Sequence, residues 1–267
     1  MSRLQSTFEA LKAVQKTALI PFVTAGDPNP SVTVGLLHDM VAAGANILEL
    51  GVPFSDPMAE GPVIQAACER ALEHNVSLTD VLGMIKEFRS KDADTPIVLM
   101  GYLNPVEVMG YEAFADAASE AGADGLILVD LPPEEGHELI VALKQKQIDP
   151  IFLLAPTSTD QRIEMICNQA SGFVYYVSLK GVTGAANLDV DSVVKKVTQI
   201  RSHTSIPVGV GFGIRDAQSA AQVAAVADAV VVGSAVVKRV EENATNPEKI
   251  SQEICSLLTS MRAAMDA

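Results

Sequence analysis

Apolar runs rich in β-branched residues recur along the whole chain, each followed by a longer amphipathic stretch, and this alternation restricts the fold more than any other feature. The runs cover residues 18–24, 46–51, 97–102, 125–130, 150–155, 173–178, 207–211 and 228–233. Helical spacing fills intervening stretches such as 31–43, 106–120, 134–145, 159–169, 190–201 and 217–226. A strand that is apolar on both faces belongs in a parallel sheet covered by helices, and eight such strand-helix units close a barrel. The sequence therefore predicts an α/β fold, a (βα)8 TIM barrel forming a single domain over residues 1–267, with an extra N-terminal helix. In that helix Leu4, Phe8 and Leu11 share one face and cover one end of the barrel.

A short echo supports the repeat. Ala43-Gly44-Ala45-Asn46, Ala121-Gly122-Ala123-Asp124 and Ala225-Val226-Ala227-Asp228 each stand immediately before a strand, so Asn46, Asp124 and Asp228 are expected to cap a reused helix-to-strand turn. Pro21 inside the first run counts against a central sheet position. An open doubly wound sheet is the competing architecture, but no GxGxxG follows the first strand.

Charge and cysteine usage exclude several function classes. A formal charge of −14 argues against nucleic acid, whose binding depends on clustered Lys and Arg. The first residues, MSRLQSTFEALK, lack the apolar core of a secretion signal, and no apolar run reaches membrane-spanning length, so a cytoplasmic protein is expected. Cys68, Cys167 and Cys255 are scattered and odd in number, which supports neither a disulfide framework nor a zinc site, and no metal is expected. His74, His137 and His203 lie on or beside helices, and no histidine is assigned a catalytic role.

Chemistry in such a barrel belongs at the C-terminal ends of the strands. There Glu49 sits between Leu48 and Leu50, and the Gly/Pro-rich loop GVPFSDPMAEGP delivers a second acid, Glu60. Apart from Lys12 and Lys16, no Lys or Arg stands between Arg3 and Arg70 to pair with them. A buried carboxylate without a partner is protonated or kept for chemistry. Glycine clusters at residues 181–184, 209–213 and 233–235 end three consecutive strands, leaving backbone amides open to a phosphate. Ser234 is placed to open a short helix whose dipole adds to that site. The loop 179–188 has the composition of a lid. Phe22, Tyr102, Tyr175 and Phe212 fall near strand C-terminal ends, where they would line an apolar pocket that accepts a flat ring.

The segments PFVTAGDP, ELGVPFSDP, AEGPVIQ, DLPPEE, GVTGA, GFGI and VVVGSA, in this order, resemble the α subunit family of tryptophan synthase over essentially the whole length. The resemblance implies a lyase of tryptophan biosynthesis that cleaves indole-3-glycerol phosphate to indole and glyceraldehyde 3-phosphate by retro-aldol chemistry. No cofactor is implied in this subunit; pyridoxal phosphate belongs to a β partner in an α2β2 complex. By resemblance Glu49 is the general acid, Glu60 the acceptor of the indole N–H, Tyr175 a neighbour that orients Glu49, and Thr183 the lid residue. Gly184, Gly213, Gly233 and Ser234 correspond to phosphate-binding amides, and Phe22, Tyr102 and Phe212 to the indole pocket. Pro53, Asp56, Asn104 and Pro132 correspond to the surface that meets the β subunit. The family has Asp where this chain has Glu60, one methylene longer, which keeps open a weakly active or non-catalytic subunit that chiefly activates β. Indole-3-glycerol phosphate synthase or a phosphosugar epimerase would bring a catalytic Lys or metal-ligating His to a strand end, and neither is present.

Overall fold

The computed structural model describes residues 2–178, 189–211 and 213–267. Its strands are β1 (Ala18–Thr24), β2 (Leu48–Gly51), β3 (Ile97–Gly101), β4 (Gly125–Leu128), β5 (Asp149–Ile151), β6 (Leu153–Leu154), β7 (Val174–Val177), β8 (Val208–Gly211) and β9 (Ala229–Val232). All pairings are parallel, and the order β5-β4-β3-β2-β1-β9-β8-β7-β6 brings the ends of the sheet together through the chain itself. This is a TIM barrel. The expected fifth strand, 150–155, is divided at Phe152. Its lower half, β5, pairs with β4, and its upper half, β6, pairs with β7. Strand tilt staggers the two ladders in a closed barrel, so a short strand meets its two neighbours at different heights.

Pro21 lies at a similar handover. The β1–β9 ladder ends at Pro21 opposite Val232, and the β1–β2 ladder begins at Phe22 opposite Glu49. The missing N–H therefore falls between two ladders.

The helices are α1 (Arg3–Ala13), α2 (Pro30–Ala42), α3 (Pro62–Leu72), α4 (Leu78–Arg89), α5 (Leu103–Met109), α6 (Tyr111–Ala121), α7 (His137–Gln145), α8 (Asp160–Gln169), α9 (Val190–Arg201), α10 (Ala217–Ala224), α11 (Ser234–Glu242) and α12 (Pro247–Met265). The single helix expected over 106–120 is two helices, because Gly110 at φ +87° takes a conformation that ends α5 and redirects the chain. Most buried side chains lie between barrel and helices, whereas a separate cluster fills the barrel itself: Ala18, Ile20, Ile47, Val98, Ile127, Ile151, Phe173, Tyr175, Ala229 and Val231. Leu4 and Phe8 of α1 belong to this inner cluster, and the Phe8 and Phe173 rings lie 5.8 Å apart. The N-terminal helix thus plugs the end away from the expected site.

The repeated turn residues do what their spacing predicts. Asn46 Oδ1 accepts the Leu19 N–H at 2.9 Å, and Asp124 and Asp228 each accept a strand N–H at 2.8 Å, from Ile97 and Val208 respectively. Each side chain ties the start of its own strand to the start of a neighbour. Asp124 is buried and also holds Arg3 and Arg89.

Candidate active site

Along β2 the side chains alternate between the two cores. Leu48 and Leu50 face the helices, while Ile47 points into the barrel, and the strand period of two sends Glu49 inward with it. The apolar surroundings of Glu49 are therefore the barrel interior and not its sequence neighbours. Glu49 is 1% exposed, and its Oε2 has no hydrogen-bond partner among the described residues. Burial, reinforced by the negative charge of Glu60, pushes its pKa up to about 8, so the neutral acid predominates at pH 7. Arg70, the first cation beyond the loop, is spent elsewhere: it forms a two-pronged pair with buried Asp27 at 2.7 and 2.9 Å.

Tyr175 on β7 is buried in the same inner cluster. Burial first, then the charges of Glu49 and Glu60, hold its hydroxyl well above the ordinary tyrosine pKa, which places the three groups within one electrostatic neighbourhood. Gly211 makes room for this ring: a Cβ there would stand 2.7 Å from the Tyr175 Cζ and nearer still to the hydroxyl. Gly51 likewise admits Phe22, and Gly209 lies against Phe173. Two of the glycines in GVGFG thus serve aromatic packing, where the sequence pointed to open amides for a phosphate.

Glu60 hangs over the barrel mouth on the loop between β2 and α3. It lines a narrow cleft together with Phe22, Thr24, Cys68, Met100 and Tyr102. The loop is fixed at several points. The Ala59 N–H donates to the Tyr102 hydroxyl at 2.9 Å, Gln65 Nε2 donates to the Glu60 carbonyl at 2.8 Å, and Phe54 stacks on Tyr102 with centroids 5.0 Å apart. Tyr102 is therefore both a wall of the cleft and an anchor for the second acid, a role its sequence position did not disclose. Burial raises the Glu60 pKa and brings the Tyr102 pKa to about 12.

β8 and β9 run in register with Gly211 opposite Val231, and Gly213 and Gly233 each stand two residues beyond that pair. Gly233 caps α11, and Ser234 is its exposed first residue, so the expected short helix opens at Ser234. Thr183, Gly184 and Phe212 lie outside the described residues. Asp130, a polar strand-end residue, accepts the Leu103 N–H at 2.8 Å and so caps α5. Among the described residues no group of three or more His, Cys, Asp or Glu stands ready to hold a metal ion, and no helix is long and apolar enough to cross a membrane.

A sequence profile described as tryptophan synthase alpha chain matches residues 8–266. The chain belongs to this family. It is 67% identical over 266 residues to the tryptophan synthase alpha chain of Thioalkalivibrio sulfidiphilus, covering 100% of both chains. It is 61% identical to that of Nitrosococcus oceani, covering 100% of this chain and 98% of the relative. The crystal structure of tryptophan synthase subunit alpha from Legionella pneumophila superposes with a TM-score of 0.93 at 46% identity, covering 100% of this chain and 99% of that one. These matches favour the α-subunit lyase over the non-catalytic alternative.

Of the residues that the family resemblance assigns to the partner surface, Asp56, Asn104 and Pro132 are exposed, whereas Pro53 is buried and shapes the loop from within. The sequence reading missed two neighbours of these positions. Met58, on the Asp56 loop, and Val108, on the α5 helix that carries Asn104, are large apolar side chains 80% and 81% exposed.

Proposed function

We propose that Glu49, Glu60 and Tyr175 carry the α reaction of tryptophan synthase in this chain. As a member of the family the protein is a lyase that cleaves indole-3-glycerol phosphate to indole and glyceraldehyde 3-phosphate, working with a β subunit. Neutral Glu49 gives its proton to indole C3, which interrupts the aromatic ring and makes it an electron sink. The carboxylate so formed takes the proton of the glycerol hydroxyl as the C–C bond breaks. The bond electrons return to the ring, indole leaves, and Glu49 is again protonated. Glu60 accepts the indole N–H and stabilises the positive charge on the ring, while Tyr175 orients Glu49. Phe22, Tyr102 and Phe212 hold the ring, the amides at Gly184, Gly213, Gly233 and Ser234 hold the phosphate, and Thr183 closes over the site.

The observation that carries this reading is a carboxyl on β2 that is 1% exposed, has no partner for Oε2 among the described residues, feels the charge of Glu60 and is neutral below about pH 8. A general acid of this kind contributes roughly 10²- to 10⁴-fold in rate. No cofactor is assigned to this subunit; pyridoxal phosphate belongs to the β partner of an α2β2 assembly, which meets Asp56, Asn104, Pro132 and the loop shaped by Pro53. Residues 1–267 act as one barrel domain in the cytoplasm. The test is indole release by the purified chain with and without β subunit. Glu49→Gln is expected to abolish it, and the wild-type rate to fall above about pH 8 as Glu49 ionises. Undiminished release by Glu49→Gln would remove Glu49 from the chemistry.

A further inference from the structure

The cleft beneath Glu60 contains a group that the mechanism leaves idle. Thr24 ends β1, is 2% exposed, lines the same cleft as Glu60, and its Oγ1 has no hydrogen-bond partner among the described residues. A buried hydroxyl with nothing to bond is destabilising, and valine would fill the same volume without that penalty. An ionised carboxylate at Glu60 accepts only, and the indole N–H satisfies one of its several lone pairs. The groups that can donate to the remainder are few. The Tyr102 hydroxyl accepts the Ala59 N–H and keeps its own proton to donate, and the Cys68 thiol is a weak donor. The Thr24 hydroxyl is buried, unpaired and on the cleft wall.

We propose that Thr24 is a positioning residue whose hydroxyl donates to the Glu60 carboxylate when the indole ring fills the cleft, keeping that carboxylate ionised and aimed at the ring N–H. The longer side chain of Glu60 has one more torsion to fix than an aspartate in its place, and a second contact fixes it. The proposal rests on the reading that Glu60 receives the indole N–H. The titratable groups facing Glu60 are Glu49 from β2, Tyr175 from β7, Tyr102 from the end of β3 and Cys68 from α3. Among the described residues none of these is a cation, so a hydroxyl donor is what offsets the burial that raises the Glu60 pKa.

The test compares Thr24→Val, Thr24→Ser, Glu60→Gln and the double variant Thr24→Val/Glu60→Gln, by indole formation from indole-3-glycerol phosphate across pH 5 to 9. Thr24→Val is expected to lower turnover on the order of ten- to a hundredfold, the range of a charge-assisted hydrogen bond. Its acid limb moves to higher pH because Glu60 then binds its proton more readily. Thr24→Ser restores both. In the Glu60→Gln background the same Thr24→Val change has less than about a twofold effect, as expected for one shared interaction. Thermal melting separates loss of fold from loss of positioning, and Thr24→Ala provides the same contrast should valine crowd the ring. Full activity in Thr24→Val with an impaired Glu60→Gln overturns the proposal and leaves the role of Glu60 intact. Equal losses from Thr24→Val in both backgrounds also overturn it. An undiminished Glu60→Gln removes the reading of Glu60 on which the proposal rests, and the proposal with it.

Discussion

Replacing Glu49 by glutamine should make the protein more stable while making it inactive, and the size of the gain should depend on pH in a defined way. The Glu49 carboxyl has a pKa of about 8 in the folded chain against an ordinary value of 4.5. Below pH 4.5 it is protonated whether the chain is folded or not, and stability is unaffected. Between 4.5 and 8 the folded state holds a proton that the unfolded state has released, so stability falls as pH rises. Each pH unit is worth ~1.4 kcal/mol, so by pH 7 the loss is about 3 kcal/mol, and it is complete above pH 8. Glutamine has the shape of the neutral acid and does not titrate. The variant should therefore match wild type near pH 4.5 and exceed it by about 3 kcal/mol at pH 7. For a chain of this size that corresponds to a rise in Tm of roughly 6–12 °C. Urea denaturation of both proteins at pH 5, 6, 7 and 8 gives the comparison directly. If the stability difference stays flat across that range, Glu49 is not a buried neutral acid and has no proton to give to the indole ring at neutral pH.

Two further perturbations probe the rest of the site. Glu60→Asp shortens the second acid while the loop stays pinned through Ala59 and Gln65; since a misplacement near 1 Å can change rates by on the order of 10²-fold, turnover of indole-3-glycerol phosphate should rise measurably, and an unchanged turnover would dismiss any geometric penalty at Glu60. Gly211→Ala drives a methyl into the rigid Tyr175 ring and should lower stability by about 1–3 kcal/mol together with indole formation; a variant as active and stable as wild type would show that Tyr175 is free to move aside.

The barrel was legible because every strand is an apolar run and every run is followed by a helical pattern. The same property concealed which way each side chain points. With both faces apolar, a parallel strand carries no alternation to read, so Leu48 and Leu50 looked like the pocket of Glu49 although both face the helices. The division of the fifth strand and the break at Gly110 depend on barrel stagger and on one positive φ, neither of which has a hydrophobic signature. The pairing of Asp27 with Arg70, 43 residues apart, was likewise invisible, since nothing local joins the β1 loop to α3.

Glycine shows most clearly where reading by residue type stops. Gly209, Gly211, Gly213 and Gly233 all fall near strand ends and invite one explanation, open amides around a phosphate. The structure divides them by where the β8–β9 ladder ends. Gly209 and Gly211 point into the barrel with Phe173 and Tyr175 and are small because those rings are large. Gly213 and Gly233 lie beyond the last ladder residues, where a backbone amide can meet a ligand. The barrel mouth thus uses one residue type in two settings, inside the ladder to make space for the Tyr175 ring and beyond it where no strand partner remains. Substituting the pair within the ladder should disturb Tyr175 and Glu49 chemistry, and substituting the pair beyond it should weaken phosphate binding, because only the first pair packs against the aromatic rings.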